Sequence, residues 1–393
     1  MNGMAFQKRG RRKSFSLFLS CTNNSLRRKA PSSRHDVFRR GSMSSSAFGM
    51  AYMPITPVPM ELQLAAQGLE QFPSPAETAA SVTVIAVGFN KLSSLPPSIV
   101  EYRNLRALHL NHNLLEDLPE ELAALTELRE LNLSSNPLRR LPNVLTRMPN
   151  LEVLNLDRTN LVEIPVGFQP ARLRHLSLAR NTITSLPEEL FSHAGSLRVL
   201  LLHQNGLKML PASLGGLIAL EELDLSQNDL AVLPEELGHL LRLEILHLQS
   251  NRLRSLPRTI GQLRALRRLT LHENQLSGLP DSIGQLASLE WLDASHNDLT
   301  SLPDGIAGWT EMRHLVLSGN QLRSLPASFC RLPRLAHCFI QDNHLSDLPA
   351  DDSTDGLPAL QTMFISGNAF ADDWAPPATY RKGVRKDEHG RTL

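Results

Sequence analysis

Asparagine returns along this chain at a nearly fixed interval: Asn90, Asn113, Asn136, Asn181, Asn205, Asn228, Asn251, Asn274, Asn297, Asn320, Asn343 and Asn368, with most steps 23 residues long. A period of roughly 20 to 29 residues marks a solenoid, in which each unit buries its apolar edge only by stacking on its neighbours. A chain of 393 residues would otherwise suggest two or three globular domains. Here length counts coils of one elongated core.

Aligned on the asparagine, the unit reads Leu-x-x-Leu-x-Leu-x-x-Asn-x-Leu-x-x-Leu-Pro-x-x-Ile/Leu-x-x-Leu. Leu243, Leu246, Leu248, Asn251, Leu253, Leu256, Pro257, Ile260 and Leu263 fill it without a flaw. The segment x-Leu-x-Leu-x alternates with period two, so it is a short strand with leucines on one side and the x residues on the other. The asparagine follows where the chain must turn, and its amide can satisfy backbone groups of adjacent coils that would otherwise be buried without partners. A proline column runs from Pro73 to Pro349, six residues after the ladder position, and holds 13 of the 26 prolines. Proline lacks the N–H and presets φ, which suits the first position of a short helical turn and not its interior. Gln67 opens the ladder in a degenerate coil and Thr159 fills one rung. After Asn368 come Phe370 and Trp374 where Leu-Pro is expected, so the repeat stops there and Trp374 covers the last leucine edge.

The expected fold class is an α/β solenoid: a horseshoe with a parallel β-sheet on its concave face and one short helical or 3-10 turn per coil on its convex face. About fourteen coils at roughly 4.8 Å per strand give a concave arc of about 60 Å. That is a surface for macromolecules rather than for a metabolite. Residues 59–374 form this domain, the first and last coils being degenerate, between an N-terminal segment 1–58 and a charged C-terminal tail 375–393.

The N-terminal segment is a different material. Residues 1–58 hold eleven Lys and Arg against the single acid Asp36, which leaves 29 basic and 38 acidic residues, a net −9, for the remainder. This Ser- and Arg-rich composition cannot bury enough apolar surface to offset chain entropy, so disorder is expected. It also resembles an organellar transit peptide. Two further readings stay open: a short, Ser-broken secretory leader, and a basic address for anionic membrane or the nucleus. Ser14 and Ser42 follow Arg-Arg-x and are candidate phosphorylation sites, where a phosphate would weaken contact with an anionic surface.

The three cysteines, Cys21, Cys330 and Cys338, are too few for the cysteine clusters that close secreted repeat proteins, which favours a reducing, cytoplasmic setting. Cys338 takes a leucine position and reads as a buried thiol, while Cys330 falls on the convex turn. No apolar run reaches the roughly 18 to 20 residues that cross a bilayer. The 25-residue step from Asn343 to Asn368 holds Asp351, Asp352 and Asp355-Gly356. That insert lacks the closing bidentate Glu of a calcium loop and reads as a surface bulge.

Residues 59 to about 374 resemble the leucine-rich repeat proteins, and the 23-residue Leu-Pro-x-x-Ile/Leu unit is similar to the intracellular repeats of Ras-suppressor, Scribble, Erbin and plant Ras-group proteins. The resemblance implies a noncatalytic scaffold or adaptor that binds proteins, often in signalling through small GTPases or phosphatases. The alternative is a regulator or effector that inhibits or recruits such an enzyme. No cofactor, metal or catalytic residue is expected, nor nucleic acid as a partner, and the chain is expected to be a monomer.

Partner choice belongs to the x positions of the strands. Six residues before the ladder stand Arg268, Trp291, His314 and His337; four before it, His247, Asp293, Phe339 and Phe364; two before it, His272. Trp and Arg are common anchors of interfaces, and an outward Trp on a sheet needs an explanation. The expected binding surface centres on these residues. The bland alternative is that they stack on one another along the sheet. His247 and His272 lie in adjacent coils near Asp224 and Asp293, but a flat sheet splays side chains too far apart for a metal, whose ligands converge at about 2.0 to 2.2 Å.

Overall fold

Strand formation in each coil needs only three residues, because the alternation x-Leu-x presents one leucine to the core and two side chains to the open face. The computed structural model describes residues 60–350, 357–371, 374, 375, 377 and 380. Fourteen parallel strands, from Met60–Gln63 to Thr362–Phe364, pair in strict chain order to form one sheet. Each coil therefore stacks on the one before it. The register keeps like on like: Leu246, Leu269, Leu292 and Leu315 pair in sequence, and all four are fully buried. Cys338 continues that row at zero exposure, and burial pushes its thiol pKa up.

The asparagine ladder carries the hydrogen bonding its position calls for. Asn251 Oδ1 accepts from the Leu230 N–H of the preceding coil at 3.0 Å. Its Nδ2 donates to the Leu225 carbonyl of that coil at 2.9 Å and to Leu248 of its own at 3.0 Å. Asn113, Asn136, Asn181, Asn205, Asn228, Asn274, Asn297, Asn320 and Asn343 repeat this pattern. The residue before each rung turns left-handed, as at His112 (φ 55°), Glu273 (φ 57°) and Gly319 (φ 67°), which swings the asparagine inward. Ala66 and Arg158 share that conformation and place Gln67 and Thr159 in the ladder. Thr159 reaches less far: its Oγ1 donates to Leu156 O at 2.6 Å, inside its own coil.

Proline enters the convex side one residue earlier than expected. Pro257 has φ −62° and ψ 148° and caps the 3-10 turn Arg258–Gln262, its carbonyl accepting from Ile260 N–H at 3.1 Å. The same turn follows Pro96, Pro119, Pro142, Pro211, Pro234, Pro280, Pro303 and Pro326. One turn per coil is too regular an expectation, however. After Pro165 and Pro187 the chain forms hydrogen-bonded turns and no 3-10 helix, beginning with Phe168 N to Pro165 O and Leu190 N to Pro187 O.

Aromatic side chains close the ends. Phe72 is buried in the first coil against Tyr102, with ring centroids 6.2 Å apart. At the other end Trp374 stacks on Phe370 at 4.2 Å and donates its indole N–H to Asp347 at 3.1 Å. Tyr380, read from the sequence as part of the tail, is fully buried near Phe329 and gives its hydroxyl proton to Pro349 O at 2.8 Å. Cys330 lies on the convex turn as expected and is buried there. The basic segment with Ser14 and Ser42 lies outside the described residues, as do Asp351, Asp352, Asp355 and Gly356.

Candidate functional site

In-register parallel strands bring residues 23 apart side by side, so a sequence column becomes a physical row. Arg268, Trp291, His314 and His337 occupy one such row on consecutive strands. The Trp291 and His314 rings stack at 4.5 Å with 29° between planes, and His314 and His337 at 4.7 Å with 20°. Arg268 places its guanidinium 5.8 Å from the Trp291 ring centre, within cation–π range. In the parallel row, Phe339 and Phe364 stack at 5.3 Å. Every ring in this patch is half-buried by its neighbours and half-open to solvent.

Arg268 differs from the arginines beside it. Along the rim, one residue earlier in each coil, charges alternate in ion pairs: Arg198 with Glu221 at 2.8 Å, and Arg267 with Glu290 at 2.6 Å. Arg268 is exposed, and among the described residues it makes no ion pair.

His272, His247 and Asp293 fall into a second pattern that the sequence reading placed only in part. His272 Nδ1 lies 3.3 Å from Asp293 Oδ2, an ion-pair contact whose alignment falls short of a hydrogen bond. Ser295 donates to the other oxygen of Asp293 twice, from Oγ at 2.6 Å and from its backbone N–H at 3.1 Å. The arrangement recurs three coils earlier, with His203 Nδ1 at 3.1 Å from Asp224 Oδ2, and Ser226 Oγ donating to Asp224 Oδ1 at 2.6 Å. His247 does not join an aspartate. Its Nδ1 lies 2.8 Å from Thr270 Oγ1, and because that hydroxyl donates to Gln249 Oε1 at 2.6 Å, the imidazole is the donor. His203 and the serines are the members sequence reasoning missed as partners. The signal was present, since in a 23-residue coil the diagonal neighbour is 21 residues on.

The electrostatics follow from these contacts. The Asp293 carboxylate holds the His272 imidazole above the usual histidine range, against the opposing pull of burial. Burial pushes the Asp293 carboxyl up, but the contacts from His272 and Ser295 outweigh it and hold it below the usual range. Burial lowers His247, and burial, then His337, Arg313 and Arg268, lowers His314. In both arrays the aspartate stands between histidine and serine. The serine proton goes to the aspartate, so the histidine cannot act as its base, and the arrays lack the order that nucleophilic catalysis needs.

Sequence profiles described as leucine-rich repeat match residues 80–138, 103–161 and 171–230, one described as leucine-rich repeat region matches 212–301, and a third, also leucine-rich repeat, matches 311–332. The chain belongs to the leucine-rich repeat proteins. Its fold is that of a protein–protein interaction scaffold. A comparison with curated proteins finds no match. Among solved structures it is similar to a leucine-rich repeat protein of Leptospira interrogans, at 28% identity and TM-score 0.66, over 81% of this chain and 92% of that one. It is also similar to YopM of Yersinia enterocolitica, at 27% identity and TM-score 0.61, over 81% of this chain and 62% of that one. YopM of Yersinia pestis, described as a leucine-rich effector protein, matches at 27% identity and TM-score 0.61, over 78% of this chain and 77% of that one. No helix among the described residues is long and apolar enough to cross a membrane.

Proposed function

We propose that this protein is a noncatalytic scaffold whose concave face binds a protein partner around Arg268, Trp291, His314, His337, Phe339 and Phe364, with Asp293, His247 and His272 at the margin. The observation that carries the reading is the aromatic shelf. Cross-strand stacking accounts for how the rings are held, and contributes about 0.2 to 1 kcal/mol per pair. It does not account for a half-open row of large rings on a face where Ser and Asn would be soluble at no cost. Trp and Arg in such a setting are the usual anchors of an interface.

The 23-residue coil type supports a place in intracellular signalling, with a small GTPase or phosphatase as the class of partner. A second reading, an effector that recruits or inhibits a host enzyme, is favoured by the likeness to the Yersinia pestis effector. Both readings use the same face. Affinity capture with residues 59–393, comparing wild type with the Trp291→Ala/Phe339→Ala double variant by mass spectrometry, tests them. Loss of a specific partner from the variant is expected. Every captured protein remaining bound at unchanged affinity would place the interface elsewhere.

A further inference from the structure

Within the proposed protein-binding face, the arginine without an ion pair has a chemistry of its own. Arg268 is exposed, is braced at 5.8 Å over Trp291, and pairs with no carboxylate among the described residues, while its neighbour Arg267 is held by Glu290. Just past the end of the same strand stands His272, whose Nδ1 faces Asp293, which leaves its Nε2 edge free of that contact. A guanidinium braced over an indole and held by no carboxylate is a receptor for an anion. The rings of His314, His337, Phe339 and Phe364 continue from it as an apolar shelf. Three inter-strand spacings separate Arg268 from His337 in the same row, about 14 Å at roughly 4.8 Å per spacing, which an extended peptide covers in about four residues.

We propose that this face recognises a peptide segment of a partner protein in which a Glu or Asp side chain engages Arg268 and a bulky apolar side chain about four residues away lies on the His337–Phe339 shelf. This rests on the reading that the face binds protein. A nucleic-acid strand would offer anions and stacking bases too. Glu222, Asp224 and Asp293 flank Arg268 on this face, however, and oppose a continuous polyanion while tolerating a single carboxylate.

The test is selection of a random peptide library displayed on phage against the full-length protein, followed by affinity measurements on the enriched peptides. Enriched sequences are expected to carry an acid spaced about four residues from Phe, Trp or Leu. Replacing that acid with its amide is expected to weaken binding about tenfold in wild type, about as little as twofold in Arg268→Lys, and not at all in Arg268→Ala. Arg268→Glu is expected to reverse the preference toward a Lys-bearing peptide. Denaturation midpoints of the variants should match wild type, since Arg268 is exposed. Failure to enrich any sequence, enrichment without an acid, an amide that binds as well as the acid, or displacement of the peptide by a single-stranded oligonucleotide would each overturn the proposal. The Trp291→Ala/Phe339→Ala variant separates the two levels. Peptides that lose binding there but not in Arg268→Ala sink only the acid-recognition inference; peptides that bind both variants unchanged sink the face itself.

Discussion

Residues 206–343 and residues 137–205 are written in the same repeat and built differently. In the first block every step of the ladder is 23 residues and every proline of the repeat column opens a 3-10 turn. In the second, steps of 22 and 24 residues flank Asn181, Thr159 replaces an asparagine, and the segments after Pro165 and Pro187 form hydrogen-bonded turns without a 3-10 helix. The convex sides show why. Gly215, Gly238, Gly261 and Gly284 recur ten residues after the ladder in the regular block, and the turns close on one another there. A Cβ added at Gly284 would lie 2.1 Å from the Gly305 carbonyl oxygen, and one at Gly261 would lie 2.2 Å from that of Ser282. In the irregular block Phe191 stands at that position and is fully buried, a large side chain where the regular block has none. The aromatic shelf sits on the regular block and the strands that follow it, where strict register stacks rings at 4.5 and 4.7 Å. Regularity is what makes a column of side chains into a flat surface.

Breaking the ladder should expose the contrast most strongly. Asn251→Ala leaves the Leu230 N–H without its partner and takes one of two asparagine donors from each of the Leu225 and Leu248 carbonyls, which keep Asn228 and Asn274, a loss of about 2 kcal/mol. Thr159→Asn, which restores the consensus, is expected to return less than about 1 kcal/mol. The Leu138 N–H, from which an asparagine at that rung would accept, already donates to Asn136 O at 3.0 Å, and Arg139 has gone left-handed with φ 62°. Urea denaturation of both variants measures this. A gain from Thr159→Asn as large as the loss from Asn251→Ala would mean the irregular block is an ordinary one with a missing bond.

The glycine contrast comes next. Gly284→Val forces its side chain into backbone and should cost about 2 kcal/mol. Gly167, in the irregular block, has no atom within 4 Å of an added Cβ, and Gly167→Ala should change stability by less than about 0.5 kcal/mol. Equal denaturation midpoints for the two variants would refute close turn packing as the distinction.

Most of the fold was readable because one period fixed three things at once: the buried leucines, the strand register and the rows of the open face. What escaped lay off that period. Left-handed backbone before each rung is carried by Phe89, His112 and Glu273 as readily as by Gly319, so composition gave no signal for it. Ile164-Pro165 and Leu186-Pro187 announce a 3-10 turn as clearly as Leu256-Pro257 does, but a coil one residue short or long cannot close it. At the site, straight rows were foreseen and diagonals were not. His247 bonds Thr270 straight across on the next strand, while His272 reaches Asp293 on the diagonal, 21 residues on.

The smallest expected effect separates the two blocks by their response to pH. His175, in the irregular block, is lowered by burial, which Asp157 and Glu130 oppose without overcoming. His272, in the regular block, is raised by Asp293. Proton NMR should find His272 titrating above the ordinary 6.5 and His175 below it. The linkage signs are opposite. The contribution of His272 is complete below 6.5 and is lost as pH rises through its raised folded pKa, while that of Asp293 is complete above 3.8 and is lost as pH falls through its lowered one. Their pair thus stabilises most between those two values, by about 0.5 kcal/mol after solvent screening. His175 works the other way: it is unfavourable to charge in the fold, so its contribution holds above 6.5 and fades as pH falls toward its lowered folded value. Acidification from neutral pH toward 5 should therefore loosen the irregular block while the His272 pair holds, visible as loss of amide-exchange protection around residues 153–177 before residues 268–295. Simultaneous loss in both segments would show that the sheet opens as one unit and that the two histidines do not mark separate blocks.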